Sequence, residues 1–591
     1  MKAPRAVSLV ALALIAFAIV GATPHARAVV PACGDIADSF TLTADQTCAG
    51  DGWTVIADDV DIDLNGFSLL GNGTGTGITF TGQRRVTIRN GTIEGFQLGI
   101  EGINANGALL QKVAVVRNAG PGMSVAAPKA IAKRITATGN GSNGINFYGE
   151  QISDSTASNN GGTGIATPDF TPGIPDRLLV TNNVAAGNNA GGFFANDNNV
   201  TMQGNSAIGN ASAGITIDAA TSSVKLKSNT SSGNEGHGIR VENGALDVVI
   251  KNNITHGNGW PDPTNVLTFR GIQVDTPVSE VSGSGNKARG NNAGLDCSGG
   301  PIGMCKPPGT SKADLSTDAP DCEEPITHSF KLTANVGPCP TKGWTFDTTR
   351  DITIDLNGFR LRGNSIDDAG TEIGIDIGGT KRVTIRNGVV EGFGFGIASG
   401  QSVTDFRLSN VVVVDTQSTG AEVHAVGDSS IKRLVSVGSG VGHGLLGGAP
   451  VVDRVITASN AFVGHVSGTG TDDSQITGSF SASNGENGFE IFAKRVKLDG
   501  VRALGNTLSG IEVEGSRARI TGANASGNEL NGVTFTGDSE NSFVRSSNAN
   551  GNGWPTNDGT GGGIISNGSP VSGGLNVAYG NDGVDCTDPI C

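Results

Sequence analysis

Apolar and polar residues alternate in short runs along this chain, and the runs never settle into a helical period. Val60, Ile62 and Leu64 alternate with Asp61 and Asp63, which predicts a strand with one buried face. Asn65-Gly66 then turns the chain. Beyond it a unit Asn-x-x-x-Gly-apolar recurs. It begins at Asn118, Asn140, Asn160, Asn188, Asn210 and Asn234, and again at Asn484, Asn506 and Asn528. Asn460 has the same spacing, with His465 in the apolar slot. Most steps are 20–24 residues; Asn160 to Asn188 is 28. A period near 22 with two or three short β-rich pieces per turn predicts an all-β solenoid, the parallel β-helix. Asn tolerates a left-handed bend. Its amide is expected to hydrogen-bond to the same Asn one coil away, at about 4.8 Å. A leucine-rich repeat would need a Leu-x-x-Leu-x-Leu frame, which is absent.

The pattern occurs twice. Asp61-Ile-Asp-Leu-Asn-Gly-Phe67 returns as Thr353-Ile-Asp-Leu-Asn-Gly-Phe359, and Arg85-Val-Thr-Ile-Arg-Asn-Gly91 as Arg382-Val-Thr-Ile-Arg-Asn-Gly388. Gly95-Phe-Gln-Leu-Gly-Ile100 returns as Gly392-Phe-Gly-Phe-Gly-Ile397. Each copy opens with a cap, 33–58 and 322–347, holding Trp53 and Trp344. A cap shields the first coil's lumen and strand edges. The expected organisation is a first β-helix at 29–305, a linker at 306–321 and a second β-helix at 322–591. Because the second copy brings its own cap, two rods of roughly ten coils are expected rather than one. The 92 glycines and 5% aromatics suit a solenoid better than a compact globule.

Residues 1–28 read as a secretory signal: Lys2 and Arg5, an apolar run Val7 to Val20, then Ala26-Arg27-Ala28. The run is short for a membrane span, and no second stretch approaches that length. Without it the balance is 37 positive to 55 negative charges, which disfavours nucleic acid as a partner. Eight cysteines allow 105 connectivities. The duplication favours four local pairs: Cys33–Cys48, Cys297–Cys305, Cys322–Cys339 and Cys586–Cys591. Such bridges fit an oxidising compartment outside the cytoplasm, so a secreted, periplasmic or cell-surface location is expected.

The cysteine caps, Ile-Asp-Leu-Asn-Gly-Phe, Arg-Val-Thr-Ile-Arg-Asn-Gly and Gly-Phe…Gly-Ile resemble the exported right-handed parallel β-helix repeat proteins of the pectin-lyase-like superfamily. The resemblance covers nearly all of the chain after residue 28 and implies a right-handed coil. Its members include polysaccharide lyases, hydrolases, epimerases and proteins without activity, so function has to be argued from the site. Polygalacturonases order Asn-Thr-Asp, Asp-Asp, Gly-His-Gly and Arg-Ile-Lys on successive coils. Here Gly236-His237-Gly238 and Gly442-His443-Gly444 occur without the rest in place. A carboxylate pair for glycoside hydrolysis is therefore not shown.

Pectate lyases pair calcium-binding acids with an arginine base on one strand face. After Ile215, Ile239 and Ile272 the second outward position holds Asp218, Glu242 and Asp275, with Arg240 one outward step earlier. In register, these carboxylates would stand about 5 Å apart, close enough to raise a pKa or recruit Ca²⁺. The long coil holding Asn265 to Arg270 could break that register. The second copy offers Glu490, Glu512 and Glu514, with Glu422 and His424 farther up. His237, Arg240 and His443 are the catalytic candidates. Trp260 and Trp554 are rim platforms for a sugar or anchors for their loops. The plainer reading of the acidic columns is a solvated face that blocks sideways association. Two classes of function follow. One is a protein that engages polysaccharide or cell-surface glycan along a sheet face, with lyase-like activity. The other is a non-catalytic, adhesin-like surface rod.

Overall fold

The computed structural model describes residues 31–590 apart from 169–176, 260–269, 290, 292–296, 302, 306–314, 347–350, 365–370, 554–560, 568–570, 579–580, 582 and 588–589. Trp260, Trp554, Cys591 and the residues 1–28 lie outside these. The described chain is built from short parallel strands, and its helical content is one 3-10 turn, Val278–Glu280.

Strand pairing divides into two sets. The first runs from Gly34–Ile36 to Cys297–Ser298 and contains a long sheet of twelve strands. The second runs from Pro325–Ile326 to Ser572–Gly574 and contains a long sheet of nine. Among the described residues no strand of one set pairs with the other. Each set is a stack of coils in which every strand pairs with its counterpart one turn on, as a parallel β-helix requires.

The alternation sets the packing. Ile215, Ile239 and Ile272 are fully buried and in register inside the first stack. Ile397, Ala421, His443, His465, Phe489 and Ile511 form the equivalent inward column of the second. The caps close both lumens alike. Trp53 packs edge-on against Phe40 at 4.9 Å and Trp344 against Phe330 at 5.2 Å. Disulfides join Cys33 to Cys48, Cys297 to Cys305 and Cys322 to Cys339. Cys586 is also disulfide-bonded.

The asparagine ladder is present. Asn188 Nδ2 donates to Asn210 Oδ1 at 2.8 Å, and Asn210 Nδ2 to Asn234 Oδ1 at 2.8 Å. Each amide also caps a carbonyl of the preceding coil, as Asn210 Nδ2 does with Ala185 O at 3.1 Å. The left-handed bend, however, falls one residue earlier than expected, at Gly187, Gly209 and Gly233. The bend turns the following Asn side chain into the lumen, where it is fully buried. A second ladder, Asn183–Asn205–Asn229–Asn253–Asn286, runs along another corner of the first stack.

The two stacks touch along their flanks. Val184, Ala186 and Ile208 share one buried cluster with Val412, Val437, Ala458 and Phe480. A Cβ built on Gly257 would meet Val412 and Val435, and one on Gly209 would meet Ser459 and Ser483. One on Gly551 would meet Val116. Late coils of the first stack therefore face early coils of the second. The stacks lie side by side and antiparallel. Arg360, at the start of the second stack, donates to the carbonyl of Asn291 at the end of the first and pairs with buried Glu391.

Candidate functional site

The outer face of the first long sheet carries the best-organised polar group. Thr216, Arg240 and Gln273 are in register on it. The ladder continues past the strand ends: Glu242 N–H bonds to Ile217 O at 3.0 Å and Asp275 N–H to Val241 O at 2.8 Å. The long coil between Glu242 and Asp275 therefore leaves the register intact, since Ile239 still pairs with Ile272.

Arg240 lies between two carboxylates, 3.3 Å from Glu242 and 3.3 Å from Asp275. Gln273 Nε2 donates to the other Asp275 oxygen at 2.6 Å. His237 borders the group and accepts the Arg270 N–H at Nδ1 (3.0 Å). Burial, then the charge of Arg240, holds the His237 imidazolium down at about 4, against the pull of Asp275. His237 is thus neutral near pH 7. The structure brings His237, Arg240, Glu242 and Asp275 together. Asp218 instead takes part in its own turn, its carboxylate accepting the Ala220 N–H at 3.4 Å.

The carboxylates of Asp218, Glu242 and Asp275 do not converge into one three-ligand group. Among the described residues no three His, Cys, Asp or Glu side chains are arranged to hold a metal. Arg240 already balances the two carboxylates that a cation would need, which removes the repulsion that was to recruit it.

The second stack holds a different arrangement. Glu422, Gly444, Val466, Glu490 and Glu512 follow one another outward in register. Asn487 Nδ2 bridges Glu490 at 3.1 Å and Glu512 at 2.7 Å. Burial, and secondarily the charges of Glu512, Glu486 and Glu514, raise the Glu490 pKa, while Asn487 opposes the shift. His424 lies 3.7 Å from Glu422.

His443 cannot serve as a surface catalyst, because it points into the lumen and is fully buried. Its Nδ1 hydrogen-bonds to His465 Nδ1 at 2.9 Å, and the His465 ring continues the stack to Phe489. Burial drives His443 well below its ordinary value and His465 to about 3. Both Nε2 atoms are buried without partners. The histidine in the apolar slot is the signal that His465 points inward. The register then carries His443 with it.

One feature was not anticipated. A cleft of 510 Å³ lies between the stacks, lined by Asn159, Asn189, Ser459, Thr507, Glu235 and Glu529 among others. Burial raises the pKa of both glutamates. The sequence signal was the acid directly after a ladder asparagine, in Asn234-Glu235 and Asn528-Glu529.

A family model described as the right handed beta helix region matches residues 54–169 and 130–299. The fold is thus a right-handed parallel β-helix. No curated protein matches the chain. Among solved structures it is similar to the A-module of mannuronan C-5 epimerase AlgE4 of Azotobacter vinelandii, at 16% identity over 67% of this chain and 82% of that one, TM-score 0.26. The AlgE6 A-module of the same organism gives 13% identity over 73% and 91%, TM-score 0.25. The catalytic domain of a GH87 α-1,3-glucanase gives 10% over 78% and 65%, TM-score 0.15. Overlap of that extent carries no argument about activity.

Proposed function

We propose that this is an exported β-helix protein that engages polysaccharide along the outer face of its first long sheet. The observation that carries the reading is the set His237, Arg240, Glu242, Gln273 and Asp275, held in register on an open sheet face. It offers a cation, two carboxylates and an amide on neighbouring coils. Hydroxyl-rich ligands are recognised by such convergent polar groups. The disulfides are consistent with a compartment outside the cytoplasm. In a lyase-like reaction, Arg240 would meet an acidic group of the sugar, with neutral His237 bordering it.

The test is a binding and turnover screen on acidic and neutral polysaccharides, with calcium and with chelator. Products would be followed by unsaturated-uronate absorbance and reducing ends. Arg240→Ala is expected to weaken binding about tenfold, the loss of one charged hydrogen-bonding group. Chelator is expected to change nothing. Equal binding by wild type and Arg240→Ala would remove this face from the reading.

A non-catalytic rod is the second reading. It is favoured by the way Arg240, Glu242 and Asp275 satisfy one another. It predicts neither product nor retention on any member of the panel.

A further inference from the structure

The first stack has another sheet, formed by the strands that precede its second asparagine ladder. Its outward positions form a column that the register defines coil by coil. Arg89 aligns with Gln111, Lys133, Ser153 and Thr181, and then with Gln203, Lys227, Lys251 and Ser284. The parallel column two residues earlier runs from Thr87 through Leu109, Ile131, Gln151, Leu179, Thr201, Lys225 and Val249 to Ser282. From Thr87 to Ser284 neither column contains an acid. Chance would not favour that in a chain with 55 acids and 40 basic residues.

Arg89 is neutralised by Asp61 and Asp63. Lys133, Lys225, Lys227 and Lys251 make no ion pair among the described residues, nor does Arg134 at the adjoining corner. Lys225 and Lys251 are exposed and Lys133 and Lys227 half-buried. The acid at that corner, Asp154, acts electrostatically on half-buried Arg502 of the second stack. Lys133 and Arg134 line a polar groove of 340 Å³ with Gln111, Gln151, Thr181 and Asp154. At about 4.8 Å per coil, the strip from Gln111 to Lys251 is about 29 Å long.

We infer that this strip binds a sulfated polysaccharide, separately from the face described above. The inference rests on the polysaccharide reading and adds a ligand class to it. Unpaired cations in a line, in a protein of net charge −15, call for a polyanion that follows the rod axis. Four of the five cations are lysines. An ammonium is a compact point charge with rotatable donors that takes an oxyanion without fixed geometry, whereas the guanidinium fork matches carboxylate and phosphate alike. The ammonium suits a tetrahedral oxyanion such as sulfate. The interleaved Gln111, Gln151, Thr181 and Gln203 supply hydrogen bonds for sugar hydroxyls. No aromatic residue lies in either column to stack a base, which separates this strip from a single-stranded nucleic-acid platform.

The test compares retention of the full protein on immobilised dextran sulfate and on plain dextran, which differ only in sulfate. Polygalacturonate and single-stranded DNA serve as further supports. Wild type is expected to be held by dextran sulfate, less by polygalacturonate, and released by salt. Lys133→Gln/Lys227→Gln/Lys251→Gln is expected to bind about a hundredfold more weakly, on the scale of lysines beside an anionic surface. Thermal unfolding unchanged from wild type would show that the substitutions left the coils intact. Lys227→Glu/Lys251→Glu provides a second, independent variant. Arg240→Ala is expected to keep dextran sulfate binding. Undiminished retention of both lysine variants would overturn the strip. Equal retention on polygalacturonate or DNA would overturn the sulfated-glycan assignment. If dextran sulfate binding maps to the strip while no other polysaccharide is held, the strip stands and the first face fails.

Discussion

His443 and His465 show what a buried polar residue does to a solenoid. Two imidazoles face each other in an inward column whose other members are Ile397, Ala421, Phe489 and Ile511. They fit only while neutral, because one Nδ1 has to donate and the other accept. In the folded state His465 titrates at about 3, against roughly 6.5 when unfolded. The unfolded chain thus takes up protons first. The contribution to stability is complete above pH 6.5 and is lost as the pH falls from there toward 3. For His465 alone this is on the order of 4 kcal/mol at the acid end. Thermal unfolding is expected to be flat above pH 7 and to drop below pH 6. In His465→Phe, with His443→Leu to remove the orphaned partner, that acid dependence is expected to shrink. A melting temperature with unaltered acid dependence would contradict the assignment.

The repeating element is the corner, with an asparagine whose amide ties three coils together. Asn210 donates to Asn234 and to Ala185 O, and accepts from Asn188. Asn210→Ala leaves those groups buried and unpaired. It is expected to cost about 2–4 kcal/mol, read as a lower urea midpoint, and Asn210→Leu should do no better. This level of the molecule was the most legible. The Asn-x-x-x-Gly-apolar unit reports both the ladder and the inward Ile, Phe and Val, because burial of one face enforces strict periodicity. The bend at Gly209 rather than Asn210 was not readable, since Gly and Asn both tolerate positive φ. The second ladder through Asn205 and Asn229 is harder to read, because its Asn-x-x-x-Gly runs into an asparagine of the first ladder and no apolar residue follows the Gly. On the faces, the register of Glu242 with Asp275 was legible, but what Arg240 does between them was not. Sequence gives the column a residue occupies, not the rotamer that lets a neighbour neutralise it. For the same reason the acids suggested a cation where an arginine already lies.

At the scale of the molecule, the stacks are held together by small and β-branched residues on the short strands after the corner. In solitary form those positions would face water. Here Val184, Ala186 and Ile208 meet Val412, Val437 and Phe480. Val437→Asp places a charge in that cluster. It is expected to part the stacks, seen as a larger radius of gyration in small-angle scattering with the β-sheet circular dichroism retained. Loss of the circular dichroism as well would mean that neither stack holds without the other. No periodic pattern announces this contact, because Thr, Ser, Ala and Val serve equally on an exposed strand and in a close-packed flank.

The antiparallel arrangement also has a mechanical meaning. Asp45, in the first cap, is near enough to Asp585 to act on its titration, so the first cap and the last coils occupy the same end. A load applied through Cys33 and Cys586 therefore pries the two stacks apart from that end, one pair of coils after another. It does not slide them past each other. Peeling breaks few contacts at a time, so the molecule should yield to tension as a zip fastener does, at low force and in steps of one coil. The same molecule pulled through Cys33 and Cys322, which lie at opposite ends, would be loaded in shear and hold far longer.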